Sequence, residues 1–155
     1  MAGATPKCHP EPGDLIEVDI LPYHHWALYI GDGYVIHLMP LDTGEPSRFS
    51  TKGKVKKELL KEMVGDHTWR VNNKPHCSRT PLTVEEIIRR AEQWIDKVVP
   101  YDIVTRNCEH FVTELRYGEA FSDQVRKVVI AALGALGVIF GVFFTVFLRK
   151  KKVFK

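Results

Sequence analysis

A β-hairpin near the start of the chain is the feature that most restricts how this sequence folds. Two runs rich in β-branched and aromatic residues, 25–30 and 34–38, flank a tight Gly-Asp-Gly turn. A short glycine-containing turn between two such runs favours antiparallel pairing. Folding about this turn brings His25 and His37 within about two ladder positions of each other. Both histidine side chains can then face one side of the sheet.

Periodicity and turn signals predict the other elements. Apolar residues alternate with acidic ones across 14–20, which predicts a half-buried strand, and 68–71 is also strand-like. Thr83 and Glu86 form a capping box before an apolar stripe at helical spacing, so a helix begins there. The segment 55–64 is ambiguous, because its composition favours a helix but the segment is short.

A cysteine at the start of a second short amphipathic helix is the candidate nucleophile. Thr105 or Asn107 can cap this helix, which puts Cys108 in its first turn. The N–H groups and dipole of a helix N-terminus favour a thiolate, and a neighbouring imidazole can accept the thiol proton. Two alternatives stay open. Cys108 is a small buried side chain, or it joins His25 and His37 in a zinc site that lacks a close-spaced ligand pair.

The histidines differ in how well they can serve Cys108. His110 is two positions away on the same helix and therefore points elsewhere. His25 and His37, on sheet strands, are better placed to face the helix end. His24 alternates to the opposite face from His25 and has no predicted role.

Composition excludes several classes of function. The chain has 155 residues and a formal net charge of +3, without the concentrated basic face that nucleic-acid binding needs. Cys8, Cys77 and Cys108 are far apart and show no C-x-x-C spacing, which argues against a disulfide framework and a structural zinc site. No apolar secretory signal is visible at the N-terminus, so the domain is expected in the cytosol, where thiols stay reduced.

An uncharged segment near the C-terminus predicts a membrane anchor. Residues 128–148 carry no charge and would span about 31 Å as a helix, which matches a bilayer core. Basic residues flank the segment on both sides. Because few residues follow it, a tail anchor with the domain in the cytosol is predicted. Gly137 and Gly141 form a GxxxG pair that favours self-association of such a helix.

Four motifs in a fixed order carry a family resemblance: PGDLIE at 12–17, HWALYIGDGYVIHL at 25–38, VNNK at 71–74 and RNCEHFVTELRYG at 106–118. They resemble the phospholipase A and acyltransferase family, the H-Ras-like suppressors related to lecithin:retinol acyltransferase. The resemblance implies an α+β, circularly permuted papain-like fold of the NlpC and lecithin:retinol acyltransferase type. In this fold an antiparallel sheet packs on helices, here followed by the C-terminal transmembrane helix. The resemblance also implies that 55–64 is a strand.

The same resemblance assigns roles and an activity. Cys108 is implied to be the nucleophile, His25 the general base, and His37 the third member that orients His25. The implied activity is calcium-independent hydrolysis of glycerophospholipids, such as phosphatidylcholine and phosphatidylethanolamine, at the sn-1 or sn-2 ester. The acyl chain can also pass to phosphatidylethanolamine or a lysophospholipid, through an acyl-thioester on the cysteine. No cofactor and no metal are implied.

The predicted organisation is a flexible arm at 1–12, a catalytic domain of the lecithin:retinol acyltransferase type at 13–124, the transmembrane anchor at 128–148 and a basic tail at 149–155. The expected location is the cytoplasmic face of an organelle membrane, with some protein in the cytosol. One alternative is a non-enzymatic membrane-perturbing or regulatory module, which acts through the anchor and the basic stretch 52–61. Another is a cysteine amidase or peptidase like the non-permuted NlpC-type relatives.

Overall fold

The computed structural model describes residues 9–41, 51–74, 78–102 and 106–152, with side chains of the last helix described only as far as residue 137. In chain order the elements are β1 (Leu15–Ile20), β2 (Tyr23–Gly31), β3 (Tyr34–Pro40), β4 (Lys52–Leu59), α1 (Leu60–Val64), β5 (Trp69–Val71), α2 (Val84–Glu92), β6 (Val98–Pro100), α3 (Cys108–Tyr117) and α4 (Asp123–Lys152). The chain forms two compact units, Met1–Phe121 and Ser122–Lys155.

The first unit is built on a six-stranded sheet in the order β5-β1-β2-β3-β4-β6, and neighbouring strands pair antiparallel. The predicted hairpin is β2 and β3. Its turn residues Gly31, Asp32 and Gly33 have φ values of 103°, 52° and 81°. This left-handed backbone explains the two glycines, which have no Cβ to strain it. The predicted α+β class with an antiparallel sheet is confirmed.

Apolar side chains cover both faces of the sheet. Successive strand residues point to opposite faces. Leu28 belongs to one cluster with Ile87 of α2 and Val112 of α3. Ile16 belongs to a second cluster with Val64, the last residue of α1. Strand β1 is therefore buried on both faces along 15–18, and not half-buried as its alternation predicts.

The ambiguous segment 55–64 is divided between two elements. Strand β4 ends at Leu59, whose partner is Tyr34 at the first position of β3. Helix α1 then follows directly. The strand implied by the family resemblance is thus correct for the first half and wrong for the second. Helix propensity prevails at the point where no further β3 residue is available for pairing.

The helix predicted after Thr83 is confirmed as α2. The Thr83 hydroxyl accepts a hydrogen bond from the Glu86 backbone N–H at 3.3 Å. The Glu86 carboxylate bonds to the Arg89 guanidinium at 2.7 Å. Only the Thr83 half of the predicted capping box is therefore seen in these contacts. The helix ends at Glu92, earlier than the apolar stripe suggests.

The predicted C-terminal transmembrane helix is wrong. Helix α4 exists, but no helix in the part of the chain that the structure describes is both long and apolar enough to cross a membrane.

Several predictions fall outside the described residues. They include most of the arm at 1–12, the cysteines Cys8 and Cys77, the alternative cap Thr105 and the end of the basic tail. The Gly141 side of the GxxxG pair also lies beyond the described side chains. Self-association through Gly137 and Gly141 therefore stays a prediction.

Candidate active site

Two buried histidines from the hairpin are joined by a hydrogen bond. His25 on β2 and His37 on β3 are 6% and 1% exposed, and His25 Nε2 lies 2.7 Å from His37 Nδ1. The rings are nearly perpendicular, at 77°, with centroids 5.0 Å apart. The prediction that the hairpin brings these two histidines together is confirmed.

The sheet opens at the level of the histidines. Strand β1 pairs with β2 through all of its residues. The pairing of β2 with β3 reaches only to Leu28 and Ile36 on this side, whereas β3 continues to pair with β4 through His37 and beyond. Strands β2 and β3 therefore separate past Leu28, and the hydrogen bond between His25 and His37 bridges the opening.

Cys108 is the first residue of α3, as predicted. Asn107 is the N-cap, since its side-chain oxygen accepts from the His110 backbone N–H at 3.0 Å. In return, His110 Nδ1 accepts from the Asn107 backbone N–H at 3.3 Å. This reciprocal capping box gives His110 a structural role. Gly118, at φ 77°, caps the other end of the helix.

The Cys108 thiol is buried and stays protonated at neutral pH. It is 7% exposed and belongs to the apolar cluster that includes α2 and α3 residues. Burial raises the pKa of Cys108 to about 11, against the opposing effect of backbone N–H groups at Trp26, Glu109 and Cys108 itself. The N–H groups at the helix N-terminus do act to lower this pKa, as expected, but loss of solvent outweighs them, so the thiolate is not favoured overall.

The thiol and the histidine pair are neighbours that share no hydrogen bond. The backbone N–H of Trp26 donates a hydrogen bond to the Cys108 sulfur. Since Trp26 directly follows His25, the thiol lies close to the histidine pair. Among the described residues, His25 bonds to His37 and His37 bonds to Glu58, and neither histidine bonds to Cys108. Burial lowers the pKa of His25 to about 3, with a contribution from His37, and that of His37 to about 4, with a contribution from Lys56. The resting state is a neutral thiol beside neutral imidazoles.

Acid is expected to destabilise the fold through His25 and His37. Their folded pKa values, about 3 and about 4, lie below the ordinary 6.5. As the pH falls, the unfolded chain therefore takes up protons before the folded chain does. The stability that is present above pH 6.5 is lost as the pH falls from 6.5 toward the folded pKa values of about 4 and about 3. Each histidine should remove about 2 kcal/mol from the free energy of unfolding between pH 7 and pH 5. Urea unfolding at both pH values measures this loss.

The double variant with His25→Asn and His37→Asn is the control for that measurement. Asparagine does not titrate, so the difference between pH 7 and pH 5 should become much smaller. An equal free energy of unfolding of the parent protein at both pH values would contradict the lowered pKa values.

A buried ion pair lies next to the nucleophile. Lys74 and Glu109 are 2% and 0% exposed, and the lysine ammonium donates a hydrogen bond to Glu109 Oε1. The Lys74 Nζ also lies 4.2 Å from the centroid of the Trp26 ring, a cation–π arrangement. Besides burial, the Glu109 charge raises the pKa of Cys108, and a neighbouring cation offsets that charge. The partners are 35 positions apart, so no local pattern links them.

Replacing Lys74 by methionine should cost about 3–5 kcal/mol of stability, because it leaves the Glu109 carboxylate buried without that cation. Chemical denaturation measures the loss. The matched control is Arg89→Met, which breaks the exposed pair with Glu86 and should cost less than about 1 kcal/mol. Similar losses in both variants would show that the buried pair has no special weight.

A separate polar cluster contains the spacing of a metal site. Glu17, Asp19 and His24 place one ligand atom each within 4.8 Å of one another. Arg70 already pairs with both carboxylates at 3.0 Å, and His24 Nδ1 lies 2.8 Å from Asp19. The Arg70 guanidinium therefore already neutralises the two carboxylates that a metal cation would need as ligands. Within the described ranges, the zinc alternative of His25, His37 and Cys108 does not form such a group.

Glu58 is a site residue that the sequence did not single out. Its Oε1 lies 2.5 Å from His37 Nε2, and its side chain is 34% exposed. On β4, Glu58 is opposite Val35, two positions from His37 on the same face. The signal for this contact was the β4 register, which could not be assigned while 55–64 was ambiguous between helix and strand.

Comparison with known proteins identifies the family. Residues 8–121 match the family model described as Lecithin retinol acyltransferase. The chain is 50% identical over 137 residues to phospholipase A and acyltransferase 1 of Mus musculus, which covers 84% of this chain and 80% of that protein. It is 46% identical over 161 aligned residues to phospholipase A and acyltransferase 3 of Homo sapiens, which covers 96% and 99%. The chain therefore belongs to the lecithin retinol acyltransferase family and, within it, to the phospholipase A and acyltransferases.

Proposed function

We propose that this protein is a calcium-independent thiol phospholipase A and acyltransferase of glycerophospholipids. The names of its relatives support phospholipase and acyltransferase activity. The observation that carries the chemistry is the His25–His37 pair at the opening between β2 and β3, beside the helix that begins with Cys108. A nucleophile, a base and a group that orients the base are the parts that covalent acyl transfer needs.

In the first half-reaction, the Cys108 sulfur attacks the carbonyl carbon of the sn-1 or sn-2 ester. His25 accepts the thiol proton as the C–S bond forms, while His37 holds the imidazole in place. Backbone N–H groups at the start of α3 stabilise the oxyanion. The ester C–O bond then breaks, and His25 returns the proton to the leaving oxygen. The products are a lysophospholipid and an acyl-thioester on Cys108.

In the second half-reaction, an acceptor resolves the thioester. The acceptor is water for hydrolysis, the amine of phosphatidylethanolamine for N-acylation, or the hydroxyl of a lysophospholipid for O-acylation. His25 takes the proton of the acceptor as it attacks, and then passes this proton to the departing Cys108 sulfur. The enzyme returns to its neutral resting state, and no metal ion takes part in either step.

The site is proposed to work at a membrane surface, because its substrates reside in bilayers. Leu21, in the turn between β1 and β2, is 88% exposed, and Tyr23, the first residue of β2, is 51% exposed. Tyr23 and Cys108 both raise the pKa of Tyr101, which supports a position of this exposed edge in the neighbourhood of the thiol. The cytoplasmic face of intracellular membranes fits this role, since thiols stay reduced there.

Product analysis tests the proposed function. The protein is incubated with mixed phosphatidylcholine and phosphatidylethanolamine vesicles in excess EDTA, and lipids are identified by mass spectrometry. Fatty acid, lysophosphatidylcholine and N-acylated phosphatidylethanolamine are expected, and a Cys108→Ala protein is the blank. Absence of all three products, or their appearance only after calcium is added, would contradict the proposal.

A further inference from the structure

We infer that Glu58 is a positioning residue, which fixes the tautomers of both histidines and so leaves the basic lone pair at His25 Nδ1. The two tautomers follow from the hydrogen bonds together with the neutral state of the buried His37. The use of that lone pair as the general base rests on the proposed function.

The chain of hydrogen bonds has one consistent direction. A carboxylate only accepts hydrogen bonds, so His37 Nε2 carries the N–H in its 2.5 Å contact with Glu58. A neutral His37 then has an unprotonated Nδ1, which accepts. The His25 Nε2 at 2.7 Å must therefore donate. His25 is left with its lone pair at Nδ1.

This is the ring nitrogen that acyl transfer requires. Nδ1 is bonded to Cγ, the ring carbon attached to Cβ, and so lies on the backbone side of the imidazole. The Cys108 thiol lies at the backbone N–H of the following residue, Trp26. Without the Glu58 carboxylate as acceptor at Nε2, His37 can instead carry its proton on Nδ1. It would then donate to His25 Nε2, and His25 would hold its proton at Nδ1, where it cannot accept another.

The neighbours of His37 on β4 make Glu58 the group that decides between these two states. Lys56 is directly opposite His37, but an ammonium has no acceptor. Glu58, at 34% side-chain exposure, reaches His37 from a solvated position. Removing its side chain therefore deletes an acceptor without opening a cavity in the core.

The first test needs no substrate and no variant. Long-range ¹H–¹⁵N correlation spectra of the parent protein at pH 7 report which nitrogen of each imidazole is protonated. We expect both His25 and His37 with the proton on Nε2 and a bare Nδ1. A proton on His25 Nδ1 would overturn the inference, whatever the activity of the protein.

The second test compares Glu58→Ala with Glu62→Ala, an exposed acidic residue of α1. Glu58→Ala should lower kcat about 10- to 100-fold with KM for vesicles little changed, by analogy with the range found for outer partners of metal-bound histidines. Its spectrum should show His37 and His25 shifted toward the Nδ1–H tautomer. Glu62→Ala should match the parent protein. A Glu58→Ala protein with parental kcat, or with reduced stability but unchanged tautomers, would overturn the inference.

Discussion

Replacing Cys108 by serine should lower fatty acid release from phosphatidylcholine vesicles by at least about 10⁴-fold. Serine keeps the size and the buried position, but its hydroxyl is a far weaker nucleophile than a thiol paired with a base. The neutral resting pair makes the loss severe, because His25, with its pKa lowered to about 3, is a weak base that cannot deprotonate an alcohol readily. Initial rates over a wide range of enzyme concentration measure the effect.

The fold of the Cys108→Ser protein should be intact. Cys108 contributes a small side chain to the core cluster, so the thermal midpoint should fall by no more than a few degrees, about 1 kcal/mol. If the variant keeps its thermal midpoint but loses its activity, the loss comes from the missing thiol and not from unfolding. Release of fatty acid at more than about a hundredth of the parental rate would exclude Cys108 as the nucleophile.

Replacing His25 by alanine should lower the same rate by about 10³- to 10⁴-fold, because the thiol then has no base to accept its proton. The loss should be partly recovered at high pH, as the Cys108 thiol approaches its pKa of about 11. A pH profile of kcat/KM between pH 6 and pH 10 therefore separates loss of a base from general damage.

His24→Ala is the matched control for that variant. His24 is the adjacent residue, pairs opposite Asp19 and bonds to its carboxylate at 2.8 Å. It should keep activity within about threefold of the parent protein, since strand alternation turns it away from His25. Equal losses in both variants would mean that the strand, and not the imidazole of His25, is what activity requires.

Local patterns were sufficient for the parts of the site that are near each other in sequence. The Gly-Asp-Gly turn sets the hairpin, and the hairpin brings His25 and His37 together. Asn107 precedes an apolar helical stripe and caps it. Each of these depends on a few consecutive residues, so periodicity and capping rules apply directly.

The remaining parts depend on contacts between distant segments. Glu58 reaches His37 across 21 positions and Lys74 reaches Glu109 across 35, and neither is visible before the sheet register is known. The pKa of Cys108 follows mainly from burial, which is a property of the packed core. The local sequence shows the helix N-terminus that opposes this effect and not the core that outweighs it.

The most direct measurement is the intact mass of the protein after a few seconds with phosphatidylcholine vesicles. We expect an added mass equal to one fatty acid less one water, located on the peptide that contains Cys108 and removed by neutral hydroxylamine. A Cys108→Ala protein should gain no such mass. Acyl mass on another residue, or rapid turnover with no hydroxylamine-sensitive acyl group on the enzyme, would contradict the thioester and with it the proposed mechanism.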